Sequence, residues 1–148
     1  MGQSAGTTCE GNTVNTGPLK VLVCDSNEAM HRIIADLLRR EDVELQFAAS
    51  ATQLAETLAI GNPDLCLLDI GFPEGSTGID MLAVLKGRKE TSLLPVVMLT
   101  FSASDSNILL AYRHGCSGYF RKQEVVGDFE DTLRTIIRYW KLSKKAKE

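Results

Sequence analysis

The chain has 148 residues, 44% of them hydrophobic and 24% charged, and carries a net charge of −3. That is long enough for one domain with a sizeable core, and the acidic balance disfavours a nucleic-acid-coating role. No apolar run approaches the roughly 20 residues needed to cross a bilayer, and no basic-then-apolar leader opens the chain, so neither nucleic acid nor membrane is expected as a partner.

Residues 1–18 lack apolar periodicity and are rich in Gly, Thr, Ser and Asn, which predicts a disordered N-terminal arm or an added leader. VLVC (21–24) is a short apolar run and predicts a buried strand. Met30, Ile33, Ile34, Leu37 and Leu38 then recur at helical spacing, with Asn27 as the N-cap. VELQF (43–47) alternates with period two and predicts a half-exposed edge strand. Ser50 and Gln53 spell a capping box for a helix presenting Leu54 and Leu58, stopped by Gly61 and Pro63.

LCLL (65–68) is the next buried run and ends at Asp69; Ile79, Leu82 and Leu85 mark a third helix. PVVML (95–99) ends at Thr100, and a Ser/Asp-rich start leads into a helix with Ile108, Ala111 and Tyr112 inward and Gly115 as terminator. GYF (118–120) predicts a further short buried strand leading to Lys122. Phe129, Leu133, Ile136, Ile137 and Trp140 form the stripe of a final helix. The pattern is (βα)5: continuous apolar strands between helices predict a doubly wound five-stranded parallel sheet covered on both faces. The ordered unit is expected over 19–142, with a basic tail over 143–148.

Of the four cysteines, Cys9, Cys24, Cys66 and Cys116, none follows a zinc or redox spacing. Cys24 and Cys66 lie in strand runs, where cysteine behaves as a small hydrophobe, and a cytoplasmic protein follows. His31 and His114 are expected on exposed helix surfaces, without a partner that would make either a ligand or a base.

In sheets of this kind the ligand site lies beyond the carboxyl ends of the strands, where Asp25, Asp69, Thr100 and Lys122 stand. Two neighbouring carboxylates repel unless a cation lies between them, and hard oxygen ligands at a sheet mouth suit Mg²⁺. Lys122 can balance an anion opposite the metal, and Thr100 can donate a hydrogen bond to it. An aspartate so surrounded is equipped to attack phosphorus and hold an acyl phosphate.

VLVCDSN (21–27), PDLCLLDIGFP (63–73), LPVVMLT (94–100) and GCSGYFRK (115–122) resemble the receiver domain of two-component response regulators. The resemblance covers about residues 19 to 140 and implies a flavodoxin-like sheet of order 2-1-3-4-5. It implies that Asp69 is the phosphoacceptor, Asp25 an acidic metal-site residue and the Gly71 carbonyl a metal ligand, with Thr100 and Lys122 on the phosphoryl group. Tyr119 would be the aromatic that follows Thr100 on activation. The implied cofactor is Mg²⁺, and the implied partner is a sensor histidine kinase or a phosphotransfer protein. Such a protein signals by conformational change and is not an enzyme beyond its own phosphoryl transfer and dephosphorylation.

The chain departs from that pattern in several places. Ser26 stands where the family has a second acid, as either a neutral metal ligand or a helix-cap residue. Phe101 is bulky where a small residue is usual. Gln123 replaces a proline that often carries a cis peptide, so a trans loop is expected there. The loop EGST is about one residue longer than usual, and its Glu74 could replace the missing carboxylate. Arg134, Arg138, Lys141 and Lys145 form a basic stripe on the last helix. It reads as a solvated face or as a docking or homodimer surface of the last two helices. IIRYWKL and LLAYRHG also look like phytochrome-associated single-domain regulators. The rival readings are a pseudo-receiver acting as a phosphorylation-independent interaction module, a flavodoxin-like cofactor binder and an aspartate-nucleophile phosphatase. Against the second, CDSNE after the first strand has the wrong charge to cradle phosphate. Against the third, Gly71 occupies the place of the second acid that such a phosphatase needs.

Overall fold

A computed structural model of the protein describes residues 17–73 and 75–143. Most of the expected arm, most of the basic tail and Glu74 lie outside these residues. The element order is β1 (Leu19–Cys24), α1 (Glu28–Leu37), β2 (Val43–Ala48), α2 (Ala51–Ile60), β3 (Leu65–Leu68), α3 (Gly78–Gly87), β4 (Val96–Thr100), α4 (Asp105–Arg113), β5 (Gly118–Arg121) and α5 (Val126–Leu142). All strand pairs are parallel, in the order β2-β1-β3-β4-β5.

Why the inner strands read as continuous apolar runs is visible in the two cores they separate. On one face Leu22, Cys24, Cys66, Leu68, Val96 and Met98 pack with Leu54 of α2 and Ile79, Leu82 and Leu85 of α3. On the other, Val21, Val23, Leu65, Leu67, Val97 and Leu99 pack with Met30 and Ile34 of α1 and Phe129, Leu133 and Ile137 of α5. Alternate residues of one strand therefore enter different cores, and both alternations must be apolar. Burial pushes the Cys66 thiol far above its ordinary range, consistent with a hydrophobe's role.

The edge strands differ. β2 alternates as expected. β5 is only partly buried at Gly118, Tyr119 and Phe120 and exposed at Arg121, so GYF is not the fully buried run expected. It closes the sheet edge and has one strand neighbour, β4. Ile33 and Tyr112, expected inward, are 42% and 50% exposed, because the buried faces of their helices are narrower than the apolar spacing suggests.

The caps hold the helices where the sequence places them. Asn27 accepts from the Ala29 amide and Ser50 from the Gln53 amide. The reciprocal half of the expected box reaches one residue further back, because Gln53 Oε1 accepts the amide of Ala49 at 2.7 Å. A full capping box forms instead between Thr77 and Asp80, at the start of α3. Lys145 of the basic stripe lies outside the described residues; Arg134, Arg138 and Lys141 are neither fully solvated nor unpaired. Arg134 and Arg138 both reach Glu41, Arg134 also reaches Glu130, and Lys141 reaches Asp42. These pairs fasten α5 to the α1–β2 connection.

Candidate functional site

Backbone bonds bring the strand ends onto one rim. The Asp25 amide donates to Ala48 O at 2.9 Å, the Asp69 amide to Cys24 O at 2.9 Å, and the Lys122 amide to Thr100 O at 2.8 Å. These extend the ladders β1–β2, β1–β3 and β4–β5 by one step past the strands, so each side chain leaves the sheet at the same level. The Gly78 amide donates to Ile70 O at 2.8 Å and draws α3 against the rim. A Cβ on Gly78 would lie 1.8 Å from the Asp69 carbonyl oxygen, so only glycine allows this approach.

The Lys122 ammonium lies between two carboxylates, 2.5 Å from Asp25 Oδ2 and 3.3 Å from Asp69 Oδ2. The Lys122 and Asp25 side chains are 3% and 4% exposed, and Asp69 is 14% exposed. A buried cation between two acids offsets the cost of placing their charges away from water. Asp69 Oδ1 accepts its neighbour's amide, from Ile70, at 2.8 Å. Asp69 is the most open of the three charged groups, which leaves it accessible from the mouth.

Ser26 is not the helix cap, since Asn27 takes that place. Its hydroxyl instead donates to the Gly71 carbonyl at 3.1 Å. The carboxylates of Asp25 and Asp69 with the Gly71 carbonyl and the Ser26 hydroxyl supply only hard oxygens. This donor set suits Mg²⁺ completed by water, and it contains no nitrogen or sulfur that would favour a softer metal. Among the described residues no group of three His, Cys, Asp or Glu side chains could hold a metal. A metal here would therefore rely on backbone and hydroxyl oxygen beside two carboxylates.

On the other side, Thr100 is buried, and its Oγ1 accepts the Ser102 amide at 3.3 Å. Ser102 Oγ accepts from Asn107 Nδ2 at 2.9 Å, and Ser102 O accepts the Tyr119 hydroxyl at 2.7 Å. Thr100 and Tyr119 are thus joined through Ser102, and Asn107 ties that loop to α4. Burial raises the Tyr119 phenol above its ordinary value, and the Asp69 charge acts in the same direction. The Phe101 ring is half exposed and covers the Lys122 ammonium, 5.1 Å from its centroid. No cis peptide occurs among the described residues, so the loop at Gln123 is trans as expected.

His31 is the residue that the sequence concealed. It is partly buried, not on the open surface, with Nε2 2.7 Å from the Asp25 carbonyl and its ring stacked on Phe47. Its partner is a backbone atom six residues earlier, for which the sequence carries no signature. His114, by contrast, is exposed at the end of α4.

A five-stranded parallel sheet of order 2-1-3-4-5 with two acids, a hydroxyl and a buried lysine at its carboxyl rim places the chain in the flavodoxin-like class of folds. Residues 21–134 match the response regulator receiver domain, and the chain belongs to that family. It is 35% identical over 124 residues to chemotaxis protein CheY of Pseudomonas aeruginosa, covering 80% of this chain and 96% of that protein. Chemotaxis protein CheY-3 of Vibrio cholerae is 30% identical over 120 residues, with 80% and 92% covered. Among solved structures, the phosphorylated cyanobacterial phytochrome response regulator RcpA superposes with a TM-score of 0.81 at 21% identity, covering 88% of this chain and all of that one. The Mn²⁺-bound form of response regulator Rcp1 gives 0.77 at 22% identity, with 88% and 100% covered. Among the described residues no helix is long and apolar enough to cross a membrane.

Proposed function

We propose that this receiver domain takes a phosphoryl group on Asp69 from a histidine kinase or a histidine-containing phosphotransfer protein in the cytoplasm. The observation that carries the reading is the Lys122 ammonium held between Asp25 and Asp69. Such an ammonium can follow negative charge onto an incoming phosphoryl oxygen. An Asp69 carboxylate oxygen forms the new O–P bond as the P–N bond of the phosphoimidazole breaks and its electron pair returns to the ring. Asp25, Asp69 and the Gly71 carbonyl would hold Mg²⁺, with the Ser26 hydroxyl beside them. When bound, the ion would neutralise phosphoryl oxygens.

On the opposite side the Thr100 hydroxyl donates to the new phosphoryl group. It then ceases to accept the Ser102 amide in its present orientation, and the change passes through Ser102 to Tyr119 and through Asn107 to α4. Phosphorylation of RcpA and Mn²⁺ binding by Rcp1 support this reading by analogy of fold. A homodimer through the last two helices would use the exposed Leu109 and Tyr112 of α4 with Tyr139 of α5. Arg134 and Arg138 are already engaged by Glu41.

The test is incubation with a small phosphodonor and Mg²⁺ followed by intact mass. One phosphoryl group is expected on the parent and none on Asp69→Asn. Equal labelling of the two would remove Asp69 as acceptor, and no labelling of either would favour a phosphorylation-independent interaction module.

A further inference from the structure

Asp25 is held at every polar atom. Its amide donates to Ala48 O, Oδ1 accepts the Asn27 amide at 2.9 Å, Oδ2 takes Lys122, and its carbonyl oxygen meets His31 Nε2 at 2.7 Å. The last contact has no counterpart in the proposed chemistry. A carbonyl only accepts, so Nε2 must carry the proton and donate. The ring's orientation is fixed independently by Phe47, with centroids 4.8 Å apart and planes 20° apart.

The carbonyl that His31 holds belongs to the planar Asp25–Ser26 peptide, so holding that oxygen orients the whole peptide plane. The next side chain is the Ser26 hydroxyl, bonded to the Gly71 carbonyl. An unbroken run of contacts therefore leads from Phe47 on the edge strand through His31, Asp25 and Ser26 to Gly71.

We infer that His31 is a positioning residue for the metal side of the site: its Nε2–H bond to the Asp25 carbonyl fixes the peptide that presents the Asp25 carboxylate and the Ser26 hydroxyl. The inference rests on the proposed metal site and concerns a residue outside the ligand set. Outer partners that orient metal ligands typically contribute on the order of tenfold or more to affinity.

The experiment compares the parent with His31→Phe, which keeps a ring against Phe47 but has no donor, and His31→Gln, whose amide N–H can replace Nε2–H. Mn²⁺ binding is followed by electron paramagnetic resonance, and exchange of the Asn27 amide is measured by NMR in metal-free protein. His31→Phe should bind Mn²⁺ about tenfold more weakly and exchange the Asn27 amide faster, and His31→Gln should recover both. Parent-like behaviour of His31→Phe, or a His31→Gln variant no better than His31→Phe, overturns the inference. If the parent itself binds no Mn²⁺, the proposed metal site fails and the exchange comparison alone decides the role of His31.

Discussion

The Ser26 hydroxyl donates to the Gly71 carbonyl across 3.1 Å, joining the loop after β1 to the loop after β3. A neutral oxygen thus stands beside Asp25 where a second acid would bring a full charge. Charge at close range in a half-buried cleft is only partly screened, and each 1.4 kcal/mol corresponds to tenfold in affinity. Ser26→Asp should therefore tighten Mg²⁺ binding about tenfold in a calorimetric titration. Without metal it should lower stability by about 1 kcal/mol, because the new carboxylate repels Asp25 and Asp69. Equal Mg²⁺ affinities would show that position 26 does not face the ion.

Removing the cation between the two acids should have the opposite balance. Lys122→Met leaves Asp25 and Asp69 buried without their partner, and breaking a buried pair from one side costs about 3 to 5 kcal/mol. Urea unfolding in the absence of divalent ions should show a loss of that order. Added Mg²⁺ should restore more stability to the variant than to the parent, since the ion no longer competes with an ammonium. A variant as stable as the parent, with no extra response to Mg²⁺, would mean that the ammonium is not what keeps the acids in place.

The parts of this molecule that were legible in the sequence are those set by burial on two faces. LCLL and VVML had to be apolar at every position because alternate residues enter different cores. Once parallel order is recognised, Asp25, Asp69, Thr100 and Lys122 must share a rim. Contacts made by backbone atoms or across long separations were not legible. Ser26 finds its acceptor at Gly71, and His31 meets a carbonyl just past β1 and a ring on β2. The spacing of Arg134 and Arg138 revealed a charged stripe but not that Glu41 lies against it. Half-burial of β5 was hidden because an apolar run does not say how many neighbours its strand will have. Gly78 was a readable signal that was missed: a glycine at the start of a helix asks what approaches it, and the answer is the Asp69 carbonyl.

The Tyr119 phenol donates to Ser102 O, and burial holds its proton above the ordinary tyrosine value. Above about pH 10, where an exposed tyrosine ionises, the unfolded chain releases a proton that the folded protein retains. Stability contributed by the neutral phenol is thus full below that pH and is lost as pH rises through the higher folded value. Tyr119→Phe should flatten the alkaline fall in stability measured by urea unfolding. It should also remove the latest part of the phenolate absorbance change. An unaltered alkaline limb in the variant would show that burial of the Tyr119 phenol does not contribute to the alkaline fall in stability.

The Phe101 ring and the Lys122 ammonium define the last expected behaviour. The ring is half exposed and stands 5.1 Å from the charge, a geometry in which a cation–π contact contributes about 0.5 to 1 kcal/mol. It covers the group that must move onto an incoming phosphoryl oxygen, so transfer first has to release it. Phe101→Ala should label about two- to fivefold faster with a small phosphodonor, the rate equivalent of that contact energy. The labelled protein should also lose its phosphoryl group faster, because water reaches the acyl phosphate from the side that the ring shielded. Phe101→Leu separates the two effects: it retains bulk but has no π face, so labelling should accelerate while loss of label stays closer to the parent. Slower labelling in Phe101→Ala would mean that the ring holds Lys122 in its working position instead of restraining it.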